Sequence, residues 1–298
     1  MTAVALLGTG HMGSAMARAL ADDGHSLVLW NRSPDRAAAL AADLGASLAG
    51  TPAEAAGQVD VVVSMLADDD AVRDVHLGPD GSLSGVRSSG VVVDMSTVRP
   101  TVIRELEAPA RARGAGILDA PVSGSVSLAE KGELTVMVGG TADDLERARP
   151  VLESIGSRVL HIGGLGAGAT IKLAVNALVY SINQGVAEAL VLAERAGLER
   201  SAAYEVFATS AVAAPFVIYK RAAFEQPDEA PTAFSIELAA KDLRLILDLA
   251  DETGTPMPQA RTNLAAVEAT ITEAGSEQDL SAVAGHLRRS AHDMREGR

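Results

Sequence analysis

Hydrophobic and polar positions change rhythm a little past the middle of the chain. Up to about Ile162, short runs of aliphatic and β-branched residues alternate with stretches whose apolar positions recur every three or four residues. Residues 4–7, 27–30, 59–64, 91–94 and 116–118 predict strands, and residues 13–22, 34–44 and 100–113 predict helices. Apolar strands alternating with helices are the pattern of a parallel sheet covered on both faces. Helix starts are marked as well: Ser33-Pro34 offers an N-cap followed by proline at the first helical position, and Thr51-Pro52-Ala53-Glu54 offers a capping box. The stretch Gly163-Gly164-Leu165-Gly166-Ala167-Gly168 ends the alternation. Beyond it only helical periodicity remains. Residues 169 to about 196 predict one long helix, apolar nearly all round and so expected to be buried. Further helices are expected over about 200–210, 236–253 and 258–273. The expected fold class is α/β: a doubly wound parallel sheet over residues 1–163, followed by an all-α C-terminal domain over residues 164–298.

Composition agrees with this division. A chain of 298 residues is long for one core and fits two domains. Apolar residues make up 48% and aromatics only 3%, so small aliphatic side chains must supply the packing. The formal net charge of −14 excludes nucleic acid as a main partner, because a phosphate backbone demands a basic surface. An anionic ligand would have to be met by a few local cations or by helix N-termini. With no cysteine there is no disulfide, thiolate or cysteine metal site, which suits a reducing cytoplasm. No uncharged apolar run approaches the ~20 residues of a membrane span. The most apolar stretch, residues 173–187, is interrupted by Asn176, Asn183 and Gln184, and the N-terminus lacks the basic start of a signal peptide. A soluble, cytoplasmic protein without a membrane partner is expected.

Gly8-Thr9-Gly10-His11-Met12-Gly13 matches G-x-G-x-x-G between a predicted strand and a predicted helix, the context a dinucleotide site requires. The first glycine permits the tight turn, the second lets the backbone approach a pyrophosphate, and the third lets helix and strand pack closely. The helix N-terminus then offers N–H donors to the phosphates. His11 and Met12 sit inside this loop; His11 is given no chemistry. At the end of the second strand, where an NAD-preferring fold places Asp or Glu for the ribose 2′-hydroxyl, this chain has Asn31-Arg32-Ser33. A carboxylate would repel a 2′-phosphate, whereas Arg32 would attract one and Ser33 could donate a hydroxyl. NADP is therefore expected, with NAD possible. The bland alternative is a solvated Arg32 and a Ser33 that only caps a helix.

Two further clusters carry chemistry. Ser123-Gly124, after the last predicted strand, could cradle a carboxylate with a hydroxyl and backbone N–H groups, although the bare pattern reads equally as a turn. Lys172 and Asn176 lie one turn apart on the long apolar helix, with Asn183 on the same side. A lysine there is costly unless it is paired or functional, and desolvation lowers its pKa towards ~7–8 in tuned acid–base sites. Spacing alone leaves open a lysine that snorkels to the surface. Asp68-Asp69-Asp70 reads as a helix start rather than a metal site, and no metal is expected.

Four blocks in this order resemble the β-hydroxyacid dehydrogenase family: Gly8–Gly13, residues 119–140 (DAPVSGSVSLAEKGELTVMVGG), residues 164–176 (GLGAGATIKLAVN) and Lys241-Asp242-Leu243. The family includes 3-hydroxyisobutyrate dehydrogenase, tartronate semialdehyde reductase and the glyoxylate/succinic semialdehyde reductases. The resemblance implies a Rossmann-type first domain and a helical domain for substrate binding and dimerisation. It implies that Ser123 and Gly124 bind the substrate carboxylate, Lys172 is the general acid/base and Asn176 holds the substrate hydroxyl. It also implies that Lys241 lies near the cofactor and closes the cleft, with Met65, Leu66 and the Ser96-Thr97 loop as further cofactor contacts. A small carboxylate substrate and a homodimer or higher oligomer follow from the same likeness. The family often has glycine at the positions of Ser125 and Leu128, threonine at Glu133 and asparagine at Val175, so the substrate is less defined than the reaction class. The Asn31-Arg32 pair resembles the reductase branch. Imine reductases share this architecture but generally lack the lysine, and a non-catalytic nucleotide-binding module would be free to lose it.

Overall fold

The computed structural model describes residues 1–296. Contacts divide the chain into two compact units, Met1–Lys172 and the residues from Leu173 onward. The sequence reading set the boundary at 163; this division falls inside the long helix instead.

The first unit runs β1 (Ala3–Leu7), α1 (His11–Asp22), β2 (Ser26–Trp30), α2 (Pro34–Leu44), β3 (Ser47–Leu48), α3 (Pro52–Gly57), β4 (Val61–Ser64), α4 (Asp69–Leu77), α5 (Ser82–Gly85) and β5 (Val91–Asp94). It continues with α6 (Pro100–Glu105), α7 (Glu107–Ala112), β6 (Gly116–Asp119), β7 (Val122–Ser123), α8 (Val126–Ala129), β8 (Thr135–Gly139), α9 (Ala142–Ile155) and β9 (Arg158–Gly163). The nine strands form one sheet in the order β3-β2-β1-β4-β5-β6-β8-β7, with β9 paired to β8. The first six make the 3-2-1-4-5-6 order of a doubly wound Rossmann-type sheet, all parallel. Alternate residues of each strand bury on opposite faces: Val4, Leu6, Val61 and Val63 join one core, and Ala5, Leu7, Val62 and Val92 join the other.

Local chemistry explains the differences from the pattern. The expected helix over 100–113 is two helices that meet at Leu106, because Pro109 has no N–H to donate back to the residue one turn earlier. Thr51 caps α3 as read, accepting from Glu54 N at 3.0 Å, while Glu54 accepts from Gly50 N at 2.7 Å. Ser33 occupies the N-cap position of α2, but its side chain makes no capping bond. The sheet does not end with β6. β8 runs antiparallel to β6 and β7, and β9 runs parallel to β8. Its short run, Thr135–Gly139, lies between two glycine-rich turns inside the stretch read as a motif.

α10 (Ala167–Arg195) crosses from the first unit into the second. There follow α11 (Arg200–Thr209), α12 (Pro215–Tyr219), α13 (Arg221–Glu225), α14 (Ile236–Thr253), α15 (Pro258–Ala274) and α16 (Val283–Glu296). Leu173, Tyr180, Ala187 and Leu190 of α10 pack with Ala239, Leu243 and Ile246 of α14 and with Tyr204 and Phe224 in this unit's core. By length and composition α10 could span a membrane, but half of its most apolar window is buried inside the protein. Asn176, Asn183 and Gln184 are buried and hydrogen-bonded, as in a polar-pinned core helix. It is not buried all round: Ala174, Leu178, Gly185, Glu188 and Leu192 form an exposed stripe.

Candidate active site

The glycine loop joins β1 to α1. A Cβ on Gly13 would meet the Gly8 carbonyl, so helix and strand pack at glycine-only distance, whereas an atom added at Gly10 meets nothing within 4 Å. Gly10 is the N-cap of α1, with no side-chain cap and no acidic residue in the first turn. The first-turn N–H groups have no intrahelical acceptors and point to a place where backbone can approach an anion. This donor set fits a dinucleotide pyrophosphate. His11 is exposed and Met12 half-buried. Met65 and Leu66, both half-buried, follow β4, the strand that pairs with β1 on the far side from β2. They therefore flank the point where the strand order reverses, outside the carboxyl ends of the strands, where ligands of such sheets bind.

Asn31 is committed to the protein itself. Its Oδ1 accepts from Thr9 N at 3.0 Å and its Nδ2 donates to the Ser33 carbonyl at 3.0 Å. The carboxamide ties the glycine loop to the turn after β2. Arg32 and Ser33 beside it are exposed.

Register brings Ser64, Asp94 and Asp119 side by side at the carboxyl ends of β4, β5 and β6. Ser64 Oγ donates to Asp94 Oδ2 at 2.5 Å, Ser96 N donates to Asp94 Oδ1 at 3.1 Å, and Ser96 Oγ donates to Asp94 Oδ2 at 3.1 Å. Leu66 N in turn donates to Ser96 Oγ at 2.9 Å, which links the loops after β4 and β5. His76 closes this network, bonded to Ser82 Oγ at 2.6 Å and Ser64 Oγ at 2.9 Å. All five side chains are buried. Ser96 therefore spends its hydroxyl inside the protein, while Thr97 next to it is half-buried.

Asp119 seats the start of α10. Its Oδ1 accepts from Gly166 N at 2.8 Å and its Oδ2 from Ala169 N at 2.7 Å. Burial pushes its carboxyl above the usual range, against the pull of those N–H groups. Lys172 is half-buried in the second turn of the same helix. Ser123 is half-buried on β7, opposite Thr135, and Gly124 is exposed with φ 144°, a conformation that favours glycine. Ser125, a position where the resembling family often has glycine, caps α8 through Leu128 N at 3.3 Å.

In the second unit Asn176 donates to Asp242 Oδ2 at 2.7 Å, and Tyr180 OH donates to the same oxygen at 2.6 Å. Burial, then the Asp242 charge, raises the Tyr180 pKa well above its ordinary value, so the phenol stays protonated as a donor. Lys241 Nζ lies 3.0 Å from Asp242 Oδ1. Lys220 is buried on Asp279 at 2.6 and 2.7 Å. Asp68 caps α4 through Ala71 N at 2.8 Å and Asp69 holds Arg99, so the acidic triplet serves as a helix start.

Sequence reasoning missed Asp94, Asp119, His76 and the Asn31 bridge. Asp94 and Asp119 had a usable signal: each is a polar residue that ends an otherwise apolar strand. The contacts of His76 depend on chain crossings that no local pattern shows.

Two family profiles cover almost the whole chain. The NAD-binding domain of 6-phosphogluconate dehydrogenase matches residues 3–163, and the NAD-binding domain of NADP-dependent 3-hydroxyisobutyrate dehydrogenase matches residues 166–287. The chain is 35% identical over 292 residues to 3-sulfolactaldehyde reductase of Escherichia coli (strain K12), covering 98% of this chain and 97% of that protein. The crystal structure of 3-hydroxyisobutyrate dehydrogenase from Salmonella typhimurium superposes with a TM-score of 0.87 at 31% identity, over 96% of this chain and 99% of that one. The Mycobacterium tuberculosis 3-hydroxyisobutyrate dehydrogenase structure with L-serine gives 0.84 at 32% identity, over 97% and 99%.

Proposed function

Because this chain belongs to the β-hydroxyacid dehydrogenase family of NAD(P)-dependent oxidoreductases, we propose that it interconverts a small β-hydroxy acid and its semialdehyde, with NADP as cofactor and Lys172 as general acid/base. The observation that carries this reading is the seat of Lys172. It stands one turn inside a helix whose first turn is bonded to Asp119, at the carboxyl edge of the sheet that carries the glycine loop. The nicotinamide, when bound, supplies or takes up the hydride. Lys172 accepts the hydroxyl proton during oxidation and returns it during reduction, and Asn176 holds the same oxygen. Asn176 gives one Nδ2 hydrogen to Asp242, which leaves the second Nδ2 hydrogen as the donor for that task. Ser123 and the backbone N–H groups near Gly124 receive the carboxylate, which fixes the reacting carbon by orientation. Gly8, Gly10, His11, Met12 and Gly13 form the pyrophosphate loop, and Arg32 and Ser33 meet the 2′-phosphate. Met65, Leu66, Thr97 and Lys241 complete the cofactor site, and Asn31 ties the glycine loop to the turn that carries Arg32 and Ser33. The helical domain carries substrate selectivity and pairing with a second copy, and the enzyme is cytoplasmic.

The test is a panel of hydroxy acids and aldehyde acids with both cofactors, followed by absorbance of the reduced nicotinamide. A sulfonate-bearing aldehyde belongs in it, given the substrate named for the Escherichia coli relative. Lys172→Ala is expected to lower turnover by about 10²–10⁴-fold while cofactor binding survives. Ser123→Ala is expected to act mainly on substrate affinity. Near-normal turnover by Lys172→Ala, or no loss when the substrate lacks its anionic group, would sink this assignment.

A further inference from the structure

We propose that Asp119 is the positioning residue for Lys172: its carboxylate, fixed at the end of β6, holds the first turn of α10 and sets both the place and the charge environment of the lysine. This inference rests on the reading of Lys172 as the proton carrier.

The geometry is that of a helix cap supplied from a distant strand. The first N–H groups of an α-helix lack intrahelical acceptors and are normally met by a side chain just before the helix. α10 has no acidic residue in its first turn. Its leading residues are Leu165, Gly166, Ala167 and Gly168, none of which offers a side-chain acceptor. Asp119, remote in sequence, takes the N–H of Ala169 in the first turn and that of Gly166 just before the helix, one on each oxygen. The niche is cut to this purpose. A Cβ on Gly168 would lie 2.7 Å from the Asp119 carbonyl oxygen and 3.0 Å from its Oδ2. A Cβ on Gly139 would lie 2.8 and 2.9 Å from the N atoms of Gly168 and Ala167. Glycine at both places lets the helix end settle on the strand ends.

The cap also has a charge. The helix N-terminus is the positive end of the macrodipole, which disfavours a nearby ammonium, and the Asp119 carboxylate opposes it. Among the described residues, four other charged or titratable groups stand around this seat. Asp94 lies on the neighbouring strand β5, and the Arg104 guanidinium from α6 lies against Gly166. His161 of β9 is bonded to the Gly140 carbonyl at 2.9 Å. Lys172 itself is the fourth. Asp94 is tied to Ser64 and Ser96, and Asp242, flanked by Lys241, meets α10 further along through the Asn176 and Tyr180 side chains; Asp119 is the anion bonded to backbone N–H groups at the start of the helix that carries the lysine.

The sign follows. Oxidation needs Lys172 as the neutral amine, so turnover rises with pH through its pKa. Removing the Asp119 charge removes stabilisation of the ammonium, lowers that pKa, and moves the acid limb of the profile to lower pH. The experiment measures kcat against pH for 3-hydroxyisobutyrate oxidation with NADP in wild type, Asp119→Asn, Lys172→Ala and the double variant. Asp119→Asn keeps the side-chain shape but turns an amide N–H against one backbone N–H. Its kcat is expected to fall by about 10- to 100-fold, the scale of a small misplacement. Its acid limb is expected to move down by about one pH unit, the low end of a charge-partner effect. In the Lys172→Ala background the same change should cost little more, because the two residues act as one unit.

An unmoved profile, or an equal loss on top of Lys172→Ala, makes Asp119 merely structural and overturns the proposal. If Lys172→Ala itself keeps near-normal turnover, the acid/base reading fails and the role of Asp119 fails with it. That outcome differs from an inactive Lys172→Ala with an unmoved Asp119→Asn profile, which removes Asp119 alone. Should Asp119→Asn fail to unfold cooperatively or to bind NADPH, Asp119→Ser, which keeps one small neutral acceptor, carries the same expectations.

Discussion

Asn31 and Arg32 are neighbours with different tasks. Both were read from the sequence as cofactor contacts, but a pattern cannot say which polar side chain faces inward. The Asn31 carboxamide is spent on Thr9 and Ser33, while Arg32 is exposed. Arg32→Ala is therefore expected to weaken NADP binding more than NAD binding. Asn31→Ala should raise the KM of both cofactors alike by loosening the loop, a difference that titrations of each variant with each cofactor resolve. Equal losses for both cofactors in Arg32→Ala would remove the 2′-phosphate role. Lys220 shows the same limit of pattern reading, since its buried partner Asp279 comes from a distant segment. Burial works against the Asp279 charge, yet Lys220 and the N–H groups of Ser281 and Phe234 outweigh it and hold the carboxyl below its ordinary value. A depressed carboxylate contributes stability above its unfolded pKa of ~4 and loses it as pH falls through the lower native value. Lys220→Met leaves that carboxylate buried without its cation and is expected to cost about 3–5 kcal/mol at neutral pH by urea unfolding. The gap from wild type should narrow in acid as Asp279 takes up a proton.

At the scale of elements, the strands of the first unit were legible because each is a short apolar run between punctuated helices. Four of the five expected runs match β1, β2, β5 and β6 to within a residue at either end, and β4 starts two residues later than expected. β8 and β9 were not read. β9 carries Val159, Leu160 and Ile162 but runs into the glycine-rich stretch read as the end of the alternation, and the β8 run is hidden among glycines. The function of strand ends was missed too, although a polar residue closing an apolar strand marked it. Asp94 at the end of β5 binds the loops after β4 and β5 through Ser64, Ser96 and Leu66 N. Asp94→Asn would force an amide N–H into a network already supplied with donors. It is expected to raise the cofactor KM several-fold while the effect of Lys172→Ala on kcat stays the same. An unchanged cofactor KM would show that these loops are held without the network.

At the scale of the whole molecule, the second unit leaves apolar surface that its own fold does not cover. On α10 the exposed positions Ala174, Leu178, Gly185, Glu188 and Leu192 repeat at spacings of three, four and seven, so they form one stripe along the helix. Leu178 is 67% and Leu192 72% exposed, and no atom lies within 4 Å of a Cβ added at Gly185. Elsewhere in this unit Leu198, Val206, Val212 and Ile218 are each more than half exposed. The sequence reading expected α10 to be apolar nearly all round and so buried, and the family likeness implied a homodimer or higher oligomer. The stripe makes that expectation specific, because four of its five residues, all but Glu188, are small or aliphatic and let another helix approach closely. A second copy is the natural occupant, since symmetric pairing lets the same stripe serve on both sides. The expected solution species is thus a dimer or higher multiple of the 30.5 kDa chain, measured by light scattering at micromolar concentration. Leu178→Glu with Leu192→Glu should shift it towards monomer, because burying a pair of carboxylates against their symmetry mates costs more than the contact returns. A wild-type chain that scatters as a monomer would contradict the pairing. A double variant that stays associated would move the interface away from this stripe.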